Sequence, residues 1–592
     1  MKKYIIYLIT ILCMLAGNRL TAQTTAGTDF WLAFGQFRNI TSNNDIINPV
    51  GIVLQIKIVT TNAANVTLTF KSNPLKDRTI SIPAGTVHTI DLDADEKLAL
   101  YSMSATSTTT DKSLHITSDQ PVSVYACTKY GLALDATNVL PVDALGTDYY
   151  HISYNNCSEL TGNSGQDVMM IIATENNTTV TYSKASTTVT QGLNKGWIWY
   201  LPSSSDMTGA HITSDKPVAY FVAHKAAAIP TYSTTNPNTE PLFQQLPPVN
   251  SWGTHFFVPD IRIPAQSPLL IRVVASQDGT VITANGGTVT SGSLSLNRGE
   301  FVTLSISNNN GCFISSNKPV GVCSYLLSNP KTTPPARKGG PAEVWIPPVE
   351  QTVAVTTVAP FTIVQSLNSS HYALIITSAG NENNTSLKVN NLPKSLTGTT
   401  WHTNSGYSYT RYDIPTADET LPHTFSNSEG LTVLMLGISY DDGYYYLGGS
   451  SMYNINMMFL VNGMHYQSVS GSTLCSGEVT LKAQLQYANS SVQGYLKWYI
   501  NDIEQTSARD NLEWDTVLAS GTNTIRMDVV DLNGQTQSVS TDLIVDILNV
   551  SIDGDTSVCV SREIHLTGSP ENGVWKSLNT TTATVTDGTV YG

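Results

Sequence analysis

Charge is scarce in this chain. Asp, Glu, Lys and Arg make up 13% of its 592 residues, about half the share of an ordinary soluble domain. The charge present is skewed, with 45 acids against 31 Lys and Arg and a formal net charge of -14. Nucleic acid is thereby excluded as a partner, because phosphate binding needs concentrated Lys and Arg. Disorder is excluded too: 41% of the residues are hydrophobic, whereas disordered chains combine few apolar residues with high net charge. Cysteine is sparse, seven in all, and no Cys-x-x-Cys or Cys-x-x-His spacing occurs, which argues against zinc. The apolar run Tyr4 to Ala16 falls short of the ~20 residues that cross a bilayer, and no later run is long enough. The chain also lacks Gly-x-Ser-x-Gly, His-Glu-x-x-His and P-loop patterns. No transmembrane segment, metal, cofactor or catalytic centre is expected.

The N-terminus carries export chemistry. Lys2 and Lys3 precede the apolar run, and Thr21-Ala22-Gln23 offers a small residue before a cut, the pattern of a secretory signal over residues 1–22. Leu12 stands where a lipidation motif around Cys13 wants a small residue. The expected location is secreted or cell-surface, of the Gram-negative exported kind. Six Cys remain after the cut, an even number that permits disulfides without fixing their connectivity. Cys312 and Cys323 flank what reads as a hairpin turning at Ser316-Asn317-Lys318-Pro319. Either they bridge across it or they are two free buried thiols.

Internal repetition is the strongest signal. Ile116-Thr117-Ser118-Asp119-Gln120-Pro121-Val122 returns as Ile212-Thr213-Ser214-Asp215-Lys216-Pro217-Val218 and as Ile314-Ser315-Ser316-Asn317-Lys318-Pro319-Val320, with a weaker copy at Phe425 to Leu431. A second motif tracks it: Leu140-Pro141-Val142, Leu246-Pro247-Pro248-Val249 and Ile346-Pro347-Pro348-Val349, the first two leading to a Gly-Thr corner that the third lacks. A third motif sets an Asn/Gly turn before a β-rich run at Asn65, Asn177, Gly279 and Asn384. One unit of about 100 residues thus recurs three to four times between residues 24 and 465. Its runs are short, β-branched or aromatic, and bounded by Gly, Pro, Asn or Ser; none keeps a capped 3.6-residue period. The fold class is all-β, with tandem β-sandwich-like units or, alternatively, propeller blades, two per unit. The Pro of each S-x-x-P-V turn is read as blocking edge pairing.

These motifs resemble the N-terminal domain of the IgG Fc-binding protein family, known from a mucin-like mammalian secreted protein and many bacterial exported proteins. The resemblance begins at Phe30-Trp31-Leu32-Ala33-Phe34 and is sharpest at the segment ending in Val218 and at Leu242-Phe243-Gln244-Gln245-Leu246-Pro247-Pro248-Val249-Asn250-Ser251-Trp252-Gly253. It covers most of residues 27–450 and implies no Fc-contact residues. From about residue 466 the texture changes. Residues 466–548 look like an immunoglobulin-like or PKD-type module with Trp498 as core, and 549–592 like a partial second module, inferred to be truncated. The region before them, 23–465, holds the repeats.

Candidate ligand contacts lie in the connections after each P-V strand: Lys129, Tyr130 and Asp135 in the first, Lys225, Tyr232, Asn236, Asn238 and Glu240 in the second, and Lys331, Arg337 and Lys338 in the third. Long loops in compact domains are often functional, and Tyr, Asn and Arg suit contact surfaces. The last three form a basic patch against Glu343 alone. Asp91-Leu92-Asp93-Ala94-Asp95-Glu96 alternates carboxylates like the start of a calcium loop, yet lacks the Gly and Glu that such a loop needs, so it reads as a solvated strand end. The expected function is an exported, non-catalytic binding or adhesion protein for a host glycoprotein, an immunoglobulin or a surface polymer, its partner a protein, glycoprotein or glycan. The alternatives are a carbohydrate-active enzyme on a β scaffold and a purely structural envelope protein.

Overall fold

Short β-branched and aromatic runs bounded by Gly, Pro and Asn become strands along the whole chain. The computed structural model describes residues 24–592 apart from 38–39, 49–50, 132, 156, 158–159, 161–164, 232–237, 264–265, 267–268, 307–308, 329–338, 362–368, 397–398, 440–441, 453–456, 486–489, 531–535, 547–550 and 570–573. Residues 1–22, read as a signal, lie outside the described residues. The β-structure divides into two compact units, Gln23–Asn456 and one comprising Met457–Gly592. No described helix is long and apolar enough to cross a membrane.

The first unit holds four copies of one sandwich-like sheet, each of seven or eight strands. Each is built on a long strand: Leu114–Tyr130, His211–Ala227, Cys312–Leu326 or His423–Ser439. The S-x-x-P-V motif lies inside this strand and does not form the expected turn. Register slips there: Thr213 faces Asp148 but Val218 faces Gly146, and Ser315 faces His255 but Val320 faces Gly253. This is a bulge, which tolerates a Pro that has no N–H for the ladder. Before it the strand pairs with Thr178–Lys184, after it with Asp167–Ala173. One strand thereby serves both halves of a sheet folded over on itself.

The correction extends to the cysteines. Cys312 and Cys323 sit on one continuous strand, not on two arms of a hairpin, and both are buried free thiols. Eleven residues of strand at about 3.3 Å each set them roughly 36 Å apart along the strand, far beyond the ~7 Å between Cα atoms that a bridge allows.

The bulge also explains why two motifs recur together. Asp119, Asp215 and Asn317 each accept a backbone N–H at 2.7 Å, from Asn65, Thr179 and Val281 respectively. Those donors begin the strands after the repeated Asn/Gly turns, so the two motifs are the halves of one hydrogen bond. Thr174 and Ser276 add a second tie, donating their hydroxyls to the carbonyls of Pro217 and Pro319 at 2.6 and 2.7 Å. In the fourth copy Gly430, at φ +92°, replaces the Pro, and Thr377 donates to its carbonyl at 2.9 Å. The fourth copy is therefore a full unit despite its divergent sequence.

A short inner strand follows each long one: Ala133–Val139, Glu240–Gln245, Ala342–Trp345 and Asp442–Gly449. Each inner strand packs against the inner strands of both neighbouring copies, the fourth against the first, which closes a ring. The chain ends of the ring clasp as well. Thr25 N donates to Ser450 O at 2.9 Å, and Ser450 N to Thr25 Oγ1 at 3.2 Å. The units are sandwich-like, one per quarter of the ring, rather than pairs of propeller blades.

The second unit has a four-stranded sheet, in which Met457–Val461 pairs with Glu478–Leu485, and a five-stranded sheet centred on Gly521–Val530. Met457–Val461 thus joins this unit upstream of residue 466. Trp498 is fully buried, edge-on to Phe459 with ring centres 5.4 Å apart, its indole N–H donating to Asn511 O at 3.0 Å. Residues 551–591 add a small four-stranded sheet. The carboxylate run at 91–96 starts at the end of the strand Val87–Asp91, as read, but its remaining residues open a helix. Asp93 caps the helix Ala94–Leu100, exchanging hydrogen bonds of 2.9 Å with Glu96 in a capping box, while Lys76 pairs with Asp93 and Asp95.

Candidate binding face

The pairing registers send eight connections to one end of the ring. In every copy the hairpin from long to inner strand and the segment entering the next strand begin at the same end of the long strand. Tyr130 faces both Ala133 and Ile52. His224 faces Asp167, with Glu240 opposite Ala227. Leu326 faces Ala342 beside Tyr325–Leu270, and Ser439 faces Asp442 beside Ile438–Ser370. Neighbouring copies join there. Ser328 N donates to Ile229 O at 2.7 Å and Ser328 Oγ to Asn238 O at 2.8 Å, and Gly339 N donates to Ser439 O at 2.7 Å. The strand ends from which the variable connections depart therefore share one end.

Beneath this end Asp135 occupies the ring axis with no exposed surface. Its carboxylate accepts four backbone N–H groups, one from each copy: Ala136 at 2.8 Å, Phe243 at 2.9 Å, Glu343 at 3.3 Å and Tyr445 at 3.4 Å. Burial pushes its pKa well above the ordinary carboxylate range, and the backbone N–H donors oppose that shift without cancelling it. Asp135 is thus the keystone of the ring and not an exposed contact residue, although the sequence had grouped it with the loops.

The other candidates divide sharply. Lys129 is buried beside Asp442, whose carboxyl is pushed up to about 8 by burial while Lys129 opposes the shift. Tyr130 is half-buried against Phe37, ring centres 6.4 Å apart. Lys225 is buried and donates to Gln166 Oε1 at 2.8 Å and Ser104 O at 3.1 Å. Burial lowers its pKa to about 8. It anchors the neighbouring connection from below. Glu240 is buried and accepts from Asn238 Nδ2 at 3.3 Å, while the Asn238 backbone carries the Ser328 contact. Tyr232, Asn236, Lys331, Arg337 and Lys338 lie outside the described residues. Glu343, read as the acid facing the basic patch, is instead fully buried and accepts from Tyr325 OH at 3.1 Å; burial raises its pKa to about 8.

A buried polar network missed by the sequence reading fixes the base of the second connection. His151 Nε2 meets Asp167 Oδ1 at 3.0 Å and His151 Nδ1 meets Tyr220 OH at 2.7 Å. Asp167 Oδ2 accepts Met207 N at 2.8 Å. Arg272 donates to Ser153 O at 2.7 Å, Thr208 Oγ1 at 2.8 Å and Asp206 Oδ2 at 3.0 Å, its guanidinium 4.4 Å from the Tyr154 ring centre. Its members come from five separate stretches of chain, at 151–154, 167, 206–208, 220 and 272, so no local motif could signal it. The arrangement positions loops. Among the described residues no group of three or more His, Cys, Asp or Glu could hold a metal ion.

The model of the family described as IgGFc binding protein matches residues 135–437, from the Asp135 keystone to the fourth long strand. The chain belongs to this family. A human relative, the IgGFc-binding protein, is 28% identical over 218 residues, which is 36% of this chain and 4% of the human protein. The chain thus spans a small fraction of that relative's length. Among solved structures, the insect immune protein hemolin aligns at 13% identity over 57% of this chain and 92% of its own, with a TM-score of 0.14. An ice-binding adhesin of an Antarctic bacterium aligns at 12% identity over 89% and 100%, with a TM-score of 0.10. Neither score carries an argument about shape.

Proposed function

We propose that this is an exported, non-catalytic binding or adhesion protein of the Gram-negative cell surface or its surroundings, and that the loop-bearing end of the ring recognises a protein or glycoprotein. The gathering, above one rigid axis, of the strand ends that carry the variable connections of all four copies supports this reading. A pinned ring holds the anchors of the variable loops in fixed mutual alignment, which lowers the ordering cost of binding. Family membership makes immunoglobulin Fc the first ligand to test. The segments 230–238 and 329–338, with Tyr232, Asn236, Lys331, Arg337 and Lys338, are the proposed contacts. The immunoglobulin-like or PKD-type modules from residue 466 onward serve as a spacer.

The test is surface-plasmon binding of the full chain to IgG Fc, to a secreted mucin and to a glycan array. Replacing 230–238 and 329–338 with Gly-Ser linkers of equal length is expected to reduce affinity at least tenfold without changing the melting temperature. Binding that survives both replacements refutes the loop assignment. Turnover of a glycan substrate refutes the non-catalytic reading, and silence against all three ligand sets refutes the binding role.

A further inference from the structure

The repeats supply an internal comparison at the opposite level of the ring. Leu246-Pro247-Pro248-Val249-Asn250-Ser251-Trp252 aligns with Ile346-Pro347-Pro348-Val349-Glu350-Gln351-Thr352. The backbones match: Ser251 N donates to Pro248 O at 3.0 Å and Gln351 N to Pro348 O at 3.0 Å. The strands that follow meet equivalent partners, Gly253 facing Val320 and Val353 facing Leu431. At the junction of the second and third copies Trp252 fills an interior slot. It is 1% exposed, with ring centres 5.8 Å from Tyr150 and 5.9 Å from Trp345. Gly321 is required below it, since a Cβ there would lie 2.6 Å from the indole.

At the junction of the third and fourth copies the same slot is open. Thr352 stands where the indole would start, Phe257 holds the place of Tyr150, and Thr432 that of Gly321. What remains is a cleft of about 190 Å³ walled by Phe257, Ile346, Ile376, Leu434 and the edge of Tyr407. Tyr407 is braced by Phe313, stacked at 5.7 Å and 13°. The rim has changed sign as well. Positions occupied by Asn250 and Lys318 at the closed junction carry Glu350 and Glu429 at the open one, and both line the cleft. Glu350 Oε1 lies 3.4 Å from His255 Nδ1.

We propose that this slot receives a tryptophan side chain from a protein partner, which would complete here the packing that Trp252 completes within the chain. A volume this small suits one ring system rather than a drug-sized ligand, and aromatic anchors in such pockets are the usual centres of binding energy. The carboxylates select for indole over phenyl, because the indole N–H is a donor with no acceptor capacity. They also favour positive charge on the partner next to the ring. The cleft sits roughly 25 Å along the fourth long strand from the loop-bearing end, so this site stands independently of the loops.

The experiment is fluorine NMR of 5-fluoroindole titrated with the full chain. Saturable broadening in the ~0.1–10 mM range expected of a fragment this size supports the proposal; no saturation at 10 mM overturns it. Thr352→Trp should plug the slot, abolish the broadening and leave the melting temperature unchanged or higher. Equal broadening with this variant overturns the proposal. Should Thr352→Trp not fold, Thr432→Phe plugs the cleft from the opposite wall and is held to the same outcomes. Glu350→Gln with Glu429→Gln should weaken 5-fluoroindole at least threefold and leave 1-methyl-5-fluoroindole unaffected. Equal loss for both probes overturns the assigned role of the carboxylates.

Discussion

Replacing Asp135 with Ala strands four backbone N–H groups at the ring axis in one step. All four are buried, and all lose their carboxyl acceptor. An unsatisfied buried donor costs about 1–3 kcal/mol. The two longest bonds are weak, and the vacated space admits some relaxation. A loss of about 4–6 kcal/mol is therefore expected rather than the full sum. In a unit of this size that corresponds to a fall in melting temperature of roughly 4–7 °C. Asp135→Asn should not rescue it, because its amide would turn two N–H donors toward the donors already there. The decisive assay is amide hydrogen exchange. Ala136, Phe243, Glu343 and Tyr445 belong to four copies far apart in sequence, yet in Asp135→Ala all four should exchange faster together, before the outer strands do. As a control, Asp215→Ala removes the Thr179 contact of one copy and should disturb that copy alone. A melting temperature within ~1 °C of the parent, with those four amides unchanged, would refute the keystone reasoning.

Two buried groups give opposite pH slopes. Burial holds His371 at about 4, below its unfolded value near 6.5, so its contribution is present above pH 6.5 and is lost as pH falls toward 4. Relative to His371→Gln, denaturant titrations should show the parent losing about 3 kcal/mol between pH 7 and 4. Glu343 is raised to about 8, so its contribution is present below pH 4.5 and is lost as pH rises to 8. Against Glu343→Gln the parent should lose about 4 kcal/mol over that window. Thiol alkylation followed by peptide mass spectrometry should label the exposed Cys475 and Cys559 quickly and spare Cys127, Cys157, Cys312 and Cys323 until the chain unfolds. Trp498→Ala should cost about 3–5 kcal/mol, read as a lower first transition by calorimetry, with the hydrogen exchange of the ring unchanged.

How far the sequence reached is clearest at the P-V motif. Its recurrence identified the repeat, because the bulge that joins two half-sheets uses the same Ser, Asp or Asn and Pro in the first three copies. Its conformation was misread, since Ser-Asn-Lys-Pro is turn chemistry in isolation and only the flanking strands show that the chain runs straight on. The supposed hairpin and the Cys312–Cys323 bridge fell with it. Asp135 was singled out for its place in a connection, but its role needs Phe243, Glu343 and Tyr445, and nothing local links those positions.

Composition, periodicity and repetition determined the all-β class, the repeat of about 100 residues and the loops that vary between copies, because strand propensity and turn residues act over a few positions. Ring closure, the four-way carboxylate and the open slot beside Thr352 were decided by tertiary structure alone. Each depends on residues about 100 or more positions apart meeting at one axis or junction, and that meeting is set by how whole sheets pack rather than by any local preference.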